Sequence, residues 1–267
     1  FRKMQKKYFF FDIDGTLTND NPGGIILPST LTTIRKLEEN GHFVAIATGR
    51  SQSMAMEFAN QIGIKNLVHD GGNGLTLNGK IVYIHPLDHD WALDIIHECL
   101  AKDIPFFVAI DNSYQRYARD HGMEKTDAHL SALFTIHVDP ELDFDTLPEI
   151  HKIFIGLAEG EEDRLVSIHL NGGYMRYEPT QIVIEPGDKV KGIRDMMAYL
   201  QAPFEDVVVF GDGKNDISMI QAAPLSIAMG NAIDEVKQAA SFVTKSCQED
   251  GIAYACQHFG WIDGWEE

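Results

Sequence analysis

The most restrictive feature of this sequence is an unbroken aromatic run that ends in two aspartates. Tyr8–Phe11 is too apolar for a strand with one face in water, and such a run is typical of a parallel strand covered on both faces. Asp12 and Asp14 follow it directly. Because an unpaired buried charge is very costly, we expect both carboxylates at the carboxyl end of the strand, where open α/β sheets bind ligands.

An acidic turn without chemistry, or a calcium loop, is the alternative interpretation of this stretch. A calcium loop of the helix-loop-helix type requires the spacing Asp-x-Asx-x-Asx-Gly. Here Gly15 comes too early and Thr16 stands in place of the third ligand. We therefore favour a reactive site.

Two later apolar runs, Phe43–Ala47 and Val207–Phe210, also lead into polar residues. The residues that follow them are Thr48, Gly49 and Arg50 after the first run, and Asp212, Asn215 and Asp216 after the second. In a parallel sheet all carboxyl ends lie at one edge, so these groups can converge although they are far apart in the chain.

Strands and helices alternate in two parts of the chain, which predicts an α/β protein with an inserted domain. The alternation covers 1–84 and resumes over 187–267, as in βαβ units. The segment 85–186 contains a helix and apolar strands, and it is too long for a structureless loop inside a compact domain. We therefore predict that it forms a separate domain with its own sheet.

The charge balance limits the partners. Forty acidic and 22 basic residues give a formal net charge of −18, which repels nucleic acid and anionic lipid. The cysteines, Cys99, Cys247 and Cys256, have no metal-binding spacing, and one is left over from any disulfide pairing. No apolar run is long enough for a membrane span and no signal peptide is visible. We expect a cytoplasmic protein, a monomer or a homodimer, with reduced thiols.

Several carboxylates in one cleft repel each other unless a cation lies between them. Oxygen ligands of this kind suit Mg²⁺, which also binds phosphate oxygens. Asp12 is then a candidate nucleophile on phosphorus, and Asp14 is a candidate general acid and base whose pKa must be raised by its surroundings. Thr48 can offer its hydroxyl and backbone N–H to phosphoryl oxygens, next to a helix N-terminus.

A lysine should complete a site that binds a transferring phosphoryl group. Lys189 and Lys191 both lie at the start of the helix that resumes the first pattern. We choose Lys191, directly before Gly192, and keep Lys189 as the alternative. Arg50 is either a substrate-binding or cap-contacting arginine or a surface residue at a helix start, and the sequence does not decide between these.

These segments together resemble the four motifs of the haloacid dehalogenase (HAD) superfamily. The motifs are Asp12–Thr18, Ala47–Arg50, Lys191-Gly192 and Gly211–Asp216. The segments Ala228–Ala232 and Glu249–Ile252 are similar to the Cof-type sugar-phosphatase branch. The resemblance covers roughly 4–84 and 187–267, in the expected order.

The resemblance implies a Rossmann-like core with an α/β cap inserted between the second and third motifs. It implies the following roles: Asp12 as nucleophile and metal ligand, Asp14 as acid and base with a metal-binding carbonyl, Asp212 as metal ligand, Thr48, Gly49 and Lys191 as phosphate ligands, and Asn215 and Asp216 as supporting residues. The loop Asp70–Gly74 departs from the family's usual Asn-Gly, so Asn73 is only a secondary substrate-binding candidate.

We therefore expect a Mg²⁺-dependent phosphatase that acts on a small phosphorylated metabolite, a sugar phosphate or a similar compound. A phosphomutase on the same scaffold is one alternative. A catalytically silent phosphometabolite-binding protein is the other, although a binder has no need of a nucleophile and an acid/base pair.

Overall fold

The computed structural model describes residues 4–170 and 173–264. They divide into two compact units, of which one ends at Tyr83 and resumes at Asp188 while the other spans Ile84–Gly187. Each boundary lies one residue from the domain boundaries expected from the sequence.

The strands of the described residues are short. They are β1 (Tyr8–Phe11), β2 (Phe43–Ala47), β3 (Leu67–His69), β4 (Gly74–Leu77), β5 (Lys80–Ile84), β6 (Phe106–Ala109), β7 (Gln115–Ala118), β8 (Thr135–Val138), β9 (Lys152–Ile155), β10 (Met175–Glu178), β11 (Gln181–Ile184), β12 (Val207–Gly211), β13 (Leu225–Ala228) and β14 (Phe242–Val243).

The α-helices of the same residues lie between these strands. They are α1 (Pro28–Glu39), α2 (Gln52–Ile62), α3 (His89–Ala101), α4 (Gly122–Thr126), α5 (Leu130–Leu133), α6 (Lys189–Tyr199), α7 (Ile217–Ala222), α8 (Asp234–Ala239) and α9 (Gly251–His258). None of them is both long enough and apolar enough to cross a membrane.

The first unit is built on a sheet with the strand order β14-β13-β12-β1-β2-β3-β4-β5. The strands from β14 to β3 run parallel, and β4 is antiparallel to β3. The turn between β4 and β5 contains Asn78 and Gly79. The predicted α/β class with a parallel-sheet core is confirmed.

The aromatic run forms the centre of this sheet and is covered on both faces. Phe9 and Phe11 pack in one apolar cluster with Ile34 of α1, and Phe10 packs in another with Met196 of α6. All three phenylalanines have no exposed surface. Because both faces are apolar, the charge of Asp12 has to come where the strand ends.

The second unit contains a sheet with the order β10-β11-β9-β6-β7-β8. Helix α3 buries Trp91 and Ile95 in a cluster that includes Val108 and Ile153 of this sheet. The unit therefore has its own apolar core. Strands β7, β8 and β10 were not predicted from the sequence.

Candidate active site

Three neighbouring strands, β12, β1 and β2, carry polar residues at their carboxyl ends. These residues are Asp212, Asp12 and Thr48, and all three side chains are buried. The backbone N–H of Asp12 donates to the carbonyl of Phe210 at 3.1 Å, which fixes the chain beyond the strand end. The convergence that the sequence predicted is therefore present in the structure.

Asp12, Asp212 and Asp216 form a carboxylate cluster. One carboxylate oxygen of each lies within 4.8 Å of those of the other two. Asp216 is fully engaged within the protein, since its Oδ2 accepts backbone N–H groups from Asp212 at 2.9 Å and Gly213 at 3.0 Å. Asp216 therefore shapes the loop, while Asp12 and Asp212 carry the charge that a ligand could use.

Lys189 joins this cluster and Lys191 does not. The Nζ of Lys189 donates to Oδ1 of Asp12 at 2.9 Å, to Oδ1 of Asp216 at 2.6 Å and to the carbonyl of Ala47 at 2.8 Å. Lys191 is exposed on the same helix. The choice of Lys191 is therefore corrected to Lys189, because the first residue of α6 is the one that points at the strand ends.

Electrostatics explain the position of Lys189. Burial alone would lower the pKa of this lysine, but the charges of Asp12 and Asp216 outweigh that effect and hold the pKa above its ordinary value. The lysine is therefore a fixed cation next to the candidate nucleophile.

One lysine does not neutralise three carboxylates. Burial and the charge of Asp216 raise the pKa of Asp12 well above its ordinary value, against the effect of Lys189. Burial and Asp216 also raise the pKa of Asp212 to about 6. A cation between Asp12 and Asp212 would relieve this repulsion, and a set of oxygen donors fits Mg²⁺. The residues present therefore fit the expected metal.

Asp14 lies beside the cluster but is paired with Arg50. Its Oδ1 accepts from Nη2 of Arg50 at 2.7 Å and from the N–H of Gly23 at 2.7 Å, and its Oδ2 accepts from Nε of Arg50 at 2.9 Å. Burial alone would raise the pKa of Asp14, but the hydrogen bonds and charge of Arg50 outweigh it and lower the pKa. The expectation of a raised pKa is corrected for this conformation. Arg50 is therefore held against Asp14 and is only partly exposed.

Thr48 is placed as expected, with one difference. Its backbone N–H donates to the carbonyl of Val68 at 2.9 Å and so belongs to the sheet, whereas we expected it to bind phosphate. Its Oγ1 accepts the N–H of Arg50 at 3.0 Å and still has a hydrogen to donate. Gly49 is buried between these two residues, and Ser51 caps helix α2 by accepting from Met54.

The structure does not bring Asn73 and Asn215 into the network. Within the described residues, no hydrogen bond connects either amide side chain to the carboxylate cluster. The loop of Asn73 is nevertheless held near the site, since the N–H of Gly71 donates to the carbonyl of Thr48 at 3.1 Å. Both asparagines stay candidates by position alone.

Sequence reasoning missed donors that come from the turn after β1 and from one distant loop. Thr16 and Asn21 each donate to Asp212, and Gly23 donates to Asp14. Asn231 donates from Nδ2 to the carbonyl of Gly15 at 2.9 Å and accepts at Oδ1 from the N–H of Cys247. Thr16 and Asn231 stand in motifs that the sequence did single out, whereas nothing marks Asn21.

Fold and site together are typical of an α/β enzyme with a candidate acidic active site at the carboxyl ends of parallel strands. The chain belongs to the haloacid dehalogenase-like hydrolases, since the model of that family matches residues 9–256. The predicted superfamily, its Cof-type branch and the prediction of a HAD-like phosphatase enzyme are thereby confirmed.

Individual relatives agree with this placement over nearly their whole length. The chain is 30% identical to the putative phosphatase YkrA of Bacillus subtilis (strain 168), with 96% of this chain and 99% of that protein covered. It is 28% identical to the 5-amino-6-(5-phospho-D-ribitylamino)uracil phosphatase YitU of the same organism, with 91% and 93% covered. The fold is similar to the solved structure of the HAD subclass IIB sugar phosphatase BT4131, with a TM-score of 0.80 and 28% sequence identity. The match covers 96% of this chain and 100% of that chain.

Proposed function

We propose that this protein is a Mg²⁺-dependent phosphatase that hydrolyses small phosphorylated metabolites through an aspartyl-phosphate on Asp12. The observation that supports this most directly is the buried contact of Lys189 with Asp12 and Asp216, next to Asp212. Asp12 is a carboxylate beside a fixed cation, and the negative charge that it shares with Asp212 is only partly neutralised. A carboxylate in these surroundings is suited to attack on a phosphate ester.

In the first half-reaction Asp12 attacks phosphorus, the new Asp12–phosphorus bond forms, and the bond to the leaving oxygen breaks. Asp14 gives its proton to that leaving oxygen. In the second half-reaction Asp14 takes a proton from water, the water oxygen bonds to phosphorus, and Asp12 is released. Mg²⁺ held by Asp12, Asp212 and the carbonyl of Asp14 would offset the charge of the phosphoryl oxygens.

Other residues of the site bind and orient the phosphoryl group in this proposal. The hydroxyl of Thr48 contacts its oxygens, together with the backbone at Gly49. Lys189 acts on them as a buried positive charge beside Asp12, since its three N–H groups already donate to Asp12, Asp216 and the carbonyl of Ala47. In the present structure the guanidinium of Arg50 and the carboxylate of Asp14 are paired by two hydrogen bonds. Arg50 therefore contacts the phosphoryl group only after substrate has drawn the guanidinium away from Asp14. The release of Asp14 from Arg50 would then allow it to carry a proton.

The names of two relatives support a proposal for the substrate class. BT4131 is named a sugar phosphatase, and YitU is named for a phosphorylated ribityl compound. Both descriptions concern a phosphate carried by a small polyhydroxylated carbon chain. We therefore propose sugar phosphates or related polyol phosphates as substrates.

The variant Asp12→Asn tests the nucleophile. We expect it to keep the circular dichroism spectrum of the wild type and to lose measurable hydrolysis of a chromogenic aryl phosphate in the presence of Mg²⁺. Asp234→Asn, which alters an exposed aspartate of α8, is the matched control and should keep wild-type activity. Near-normal turnover in Asp12→Asn would end the assignment.

A product assay separates the alternatives. With a hexose 1-phosphate the proposed phosphatase releases inorganic phosphate. Formation of the 6-phosphate isomer would indicate a mutase instead. A ligand that raises the unfolding temperature without any turnover across a panel of phosphate esters would indicate a binding protein.

A further inference from the structure

The carboxylate of Asp212 is held on both sides by neutral donors. The hydroxyl of Thr16 donates to its Oδ1 at 3.1 Å, and Nδ2 of Asn21 donates to its Oδ2 at 3.1 Å. Thr16 is buried, while Asn21 is an exposed residue of the bend that follows β1. Asn21 is 191 residues away from Asp212 in the chain, so their contact depends on the fold of this turn.

The close approach of Asn21 to Asp212 depends on Gly15. A Cβ at Gly15 would lie 2.2 Å from Oδ2 of Asp212 and 3.1 Å from the Cβ of Asn21, and Gly15 has φ of +76°. Only glycine therefore leaves room for the amide and the carboxylate to meet, since the backbone conformation and the space both exclude a side chain.

We propose that Asn21 is a positioning residue that sets the affinity and the choice of the divalent cation by fixing the orientation of Asp212. This inference rests on the proposed metal site. Asn21 does not itself contact the cation in this proposal; it acts through the carboxylate. Groups that orient a metal ligand in this way typically change metal affinity by about 10–100-fold when they are removed.

The direction of the selectivity follows from coordination chemistry. Mg²⁺ requires near-octahedral geometry and usually takes one oxygen from a carboxylate, whereas Ca²⁺ accepts two oxygens from one carboxylate and a more variable geometry. With a donor on each oxygen, Asp212 cannot rotate freely to present both oxygens to a cation. Loss of the Asn21 donor would free that rotation, so Mg²⁺ binding should suffer more than Ca²⁺ binding.

The same turn offers a matched control. Oδ1 of Asn19 accepts the N–H of Ile25 at 3.0 Å, so this asparagine stabilises the turn. No hydrogen bond connects its side chain to a carboxylate within the described part of the chain. Asn19→Ala therefore weakens the turn without removing a donor to Asp212.

The experiment is a titration of the full chain with MgCl2 and, separately, with CaCl2. The readout is the unfolding temperature, which rises as a site in the folded state becomes occupied. We expect Asn21→Ala to weaken Mg²⁺ binding by about 10–100-fold and Ca²⁺ binding by less. Asn19→Ala should keep the ratio of the two affinities. Asn21→Leu, which keeps the size of the residue, replaces Asn21→Ala if that variant does not fold.

Unchanged Mg²⁺ and Ca²⁺ affinities in Asn21→Ala would overturn the inference, and so would an equal loss of selectivity in Asn19→Ala. Asp212→Asn separates this result from a failure of the proposed function. If the wild type shows no Mg²⁺-dependent shift, the proposed metal site is wrong. If the wild type shifts and Asp212→Asn does not, the metal site stands and Asn21→Ala alone decides the inference.

Discussion

The ammonium group of Lys189 lies 2.9 Å from Oδ1 of Asp12, and the two residues are 177 positions apart in the chain. The contact joins the first turn of α6 to the end of β1, and neither side chain is accessible enough for water to replace the partner. Removal of one member of a buried ion pair costs about 3–5 kcal/mol, because the other charge stays uncompensated. Lys189 therefore stabilises the acidic cluster.

The two lysines of the α6 N-terminus can be told apart by substitution. We expect Lys189→Ala to lower kcat by at least about 10²-fold, since a fixed cation next to the transferring group is lost. Lys191→Ala should stay within a few fold of wild type, because Lys191 is exposed. Steady-state hydrolysis of an aryl phosphate measures both. A larger loss in Lys191→Ala than in Lys189→Ala would restore the original choice.

The sequence could predict the strand ends because burial leaves little freedom there. An apolar strand that is covered on both faces excludes charge along its length. Asp12 and Asp212 therefore had to come after the ends of β1 and β12. Lys189 and Lys191 could not be separated in this way. With 3.6 residues per turn, positions two apart are rotated by about 200° about the helix axis and so lie on nearly opposite sides. The choice therefore depends on the residue where the helix begins. The structure places that beginning at Lys189, after the cap Asp188.

The missed parts of the fold and site depend on tertiary contacts that leave no local pattern. Strand β7 has Arg116 at a buried position, where its guanidinium lies 4.1 Å from the ring centre of Phe134 and 5.1 Å from that of Phe154. A charged residue at an inward position hides the apolar alternation by which strands are recognised. The Asn21–Asp212 contact is likewise a meeting of two loops, and no spacing rule in the sequence describes it.

Removal of Arg50 should raise the pKa of Asp14. In Arg50→Ala the burial of this carboxyl group stays while the hydrogen bonds and charge that lower its pKa are lost. The change can be followed by the carbon-13 chemical shift of the Asp14 carboxyl group against pH. The same variant should lower the free energy of unfolding at neutral pH by about 1.5–3 kcal/mol, the usual range for hydrogen bonds to charged groups.

The stabilisation by the Asp14–Arg50 pair depends on pH. The pKa of Asp14 is depressed in the fold, so the pair stabilises the protein above the ordinary value of 3.8 and loses that contribution as the pH falls below it. Arg35→Ala is the control, since Arg35 pairs with Glu39 at 3.7 Å on an exposed face of α1. A pKa of Asp14 that does not move in Arg50→Ala would contradict the assignment of its cause.

Gly15 and Gly63 have nearly the same backbone conformation, with φ of +76° and +77°, but different surroundings. A Cβ at Gly15 would meet Asp212, whereas nothing lies within 4 Å of one at Gly63. Both alanine variants should lose about 1–2 kcal/mol of stability from the left-handed conformation. Gly15→Ala should in addition lose Mg²⁺-dependent activity, because Asp212 must move. Steady-state activity and urea unfolding are measured for both variants. Similar activity in the two would show that the site tolerates a displacement of Asp212.

Glu98 of the second unit gives a prediction that is independent of the active site. Its carboxylate accepts from Lys102 at 2.7 Å, from the hydroxyl of Ser167 and from the N–H groups of Val166 and Ser167, which ties α3 to a loop more than 60 residues later in the chain. Burial alone would raise the pKa of Glu98, but these hydrogen bonds outweigh it and lower the pKa from 4.5 to about 2. Glu98→Gln should therefore destabilise the protein by about 1.5–3 kcal/mol at neutral pH.

The cost of Glu98→Gln should disappear in acid. A depressed pKa means that the charged group stabilises the fold above its unfolded value of 4.5, and that this contribution is lost as the pH falls towards 2. Urea unfolding of wild type and variant at about pH 7 and about pH 3 should thus show a difference that narrows. Glu161→Gln, which breaks an exposed pair with Arg164, should change stability by less than about 1 kcal/mol at either pH. A Glu98→Gln difference that stays constant between the two pH values would mean that the loop is held by shape and not by the charge of Glu98.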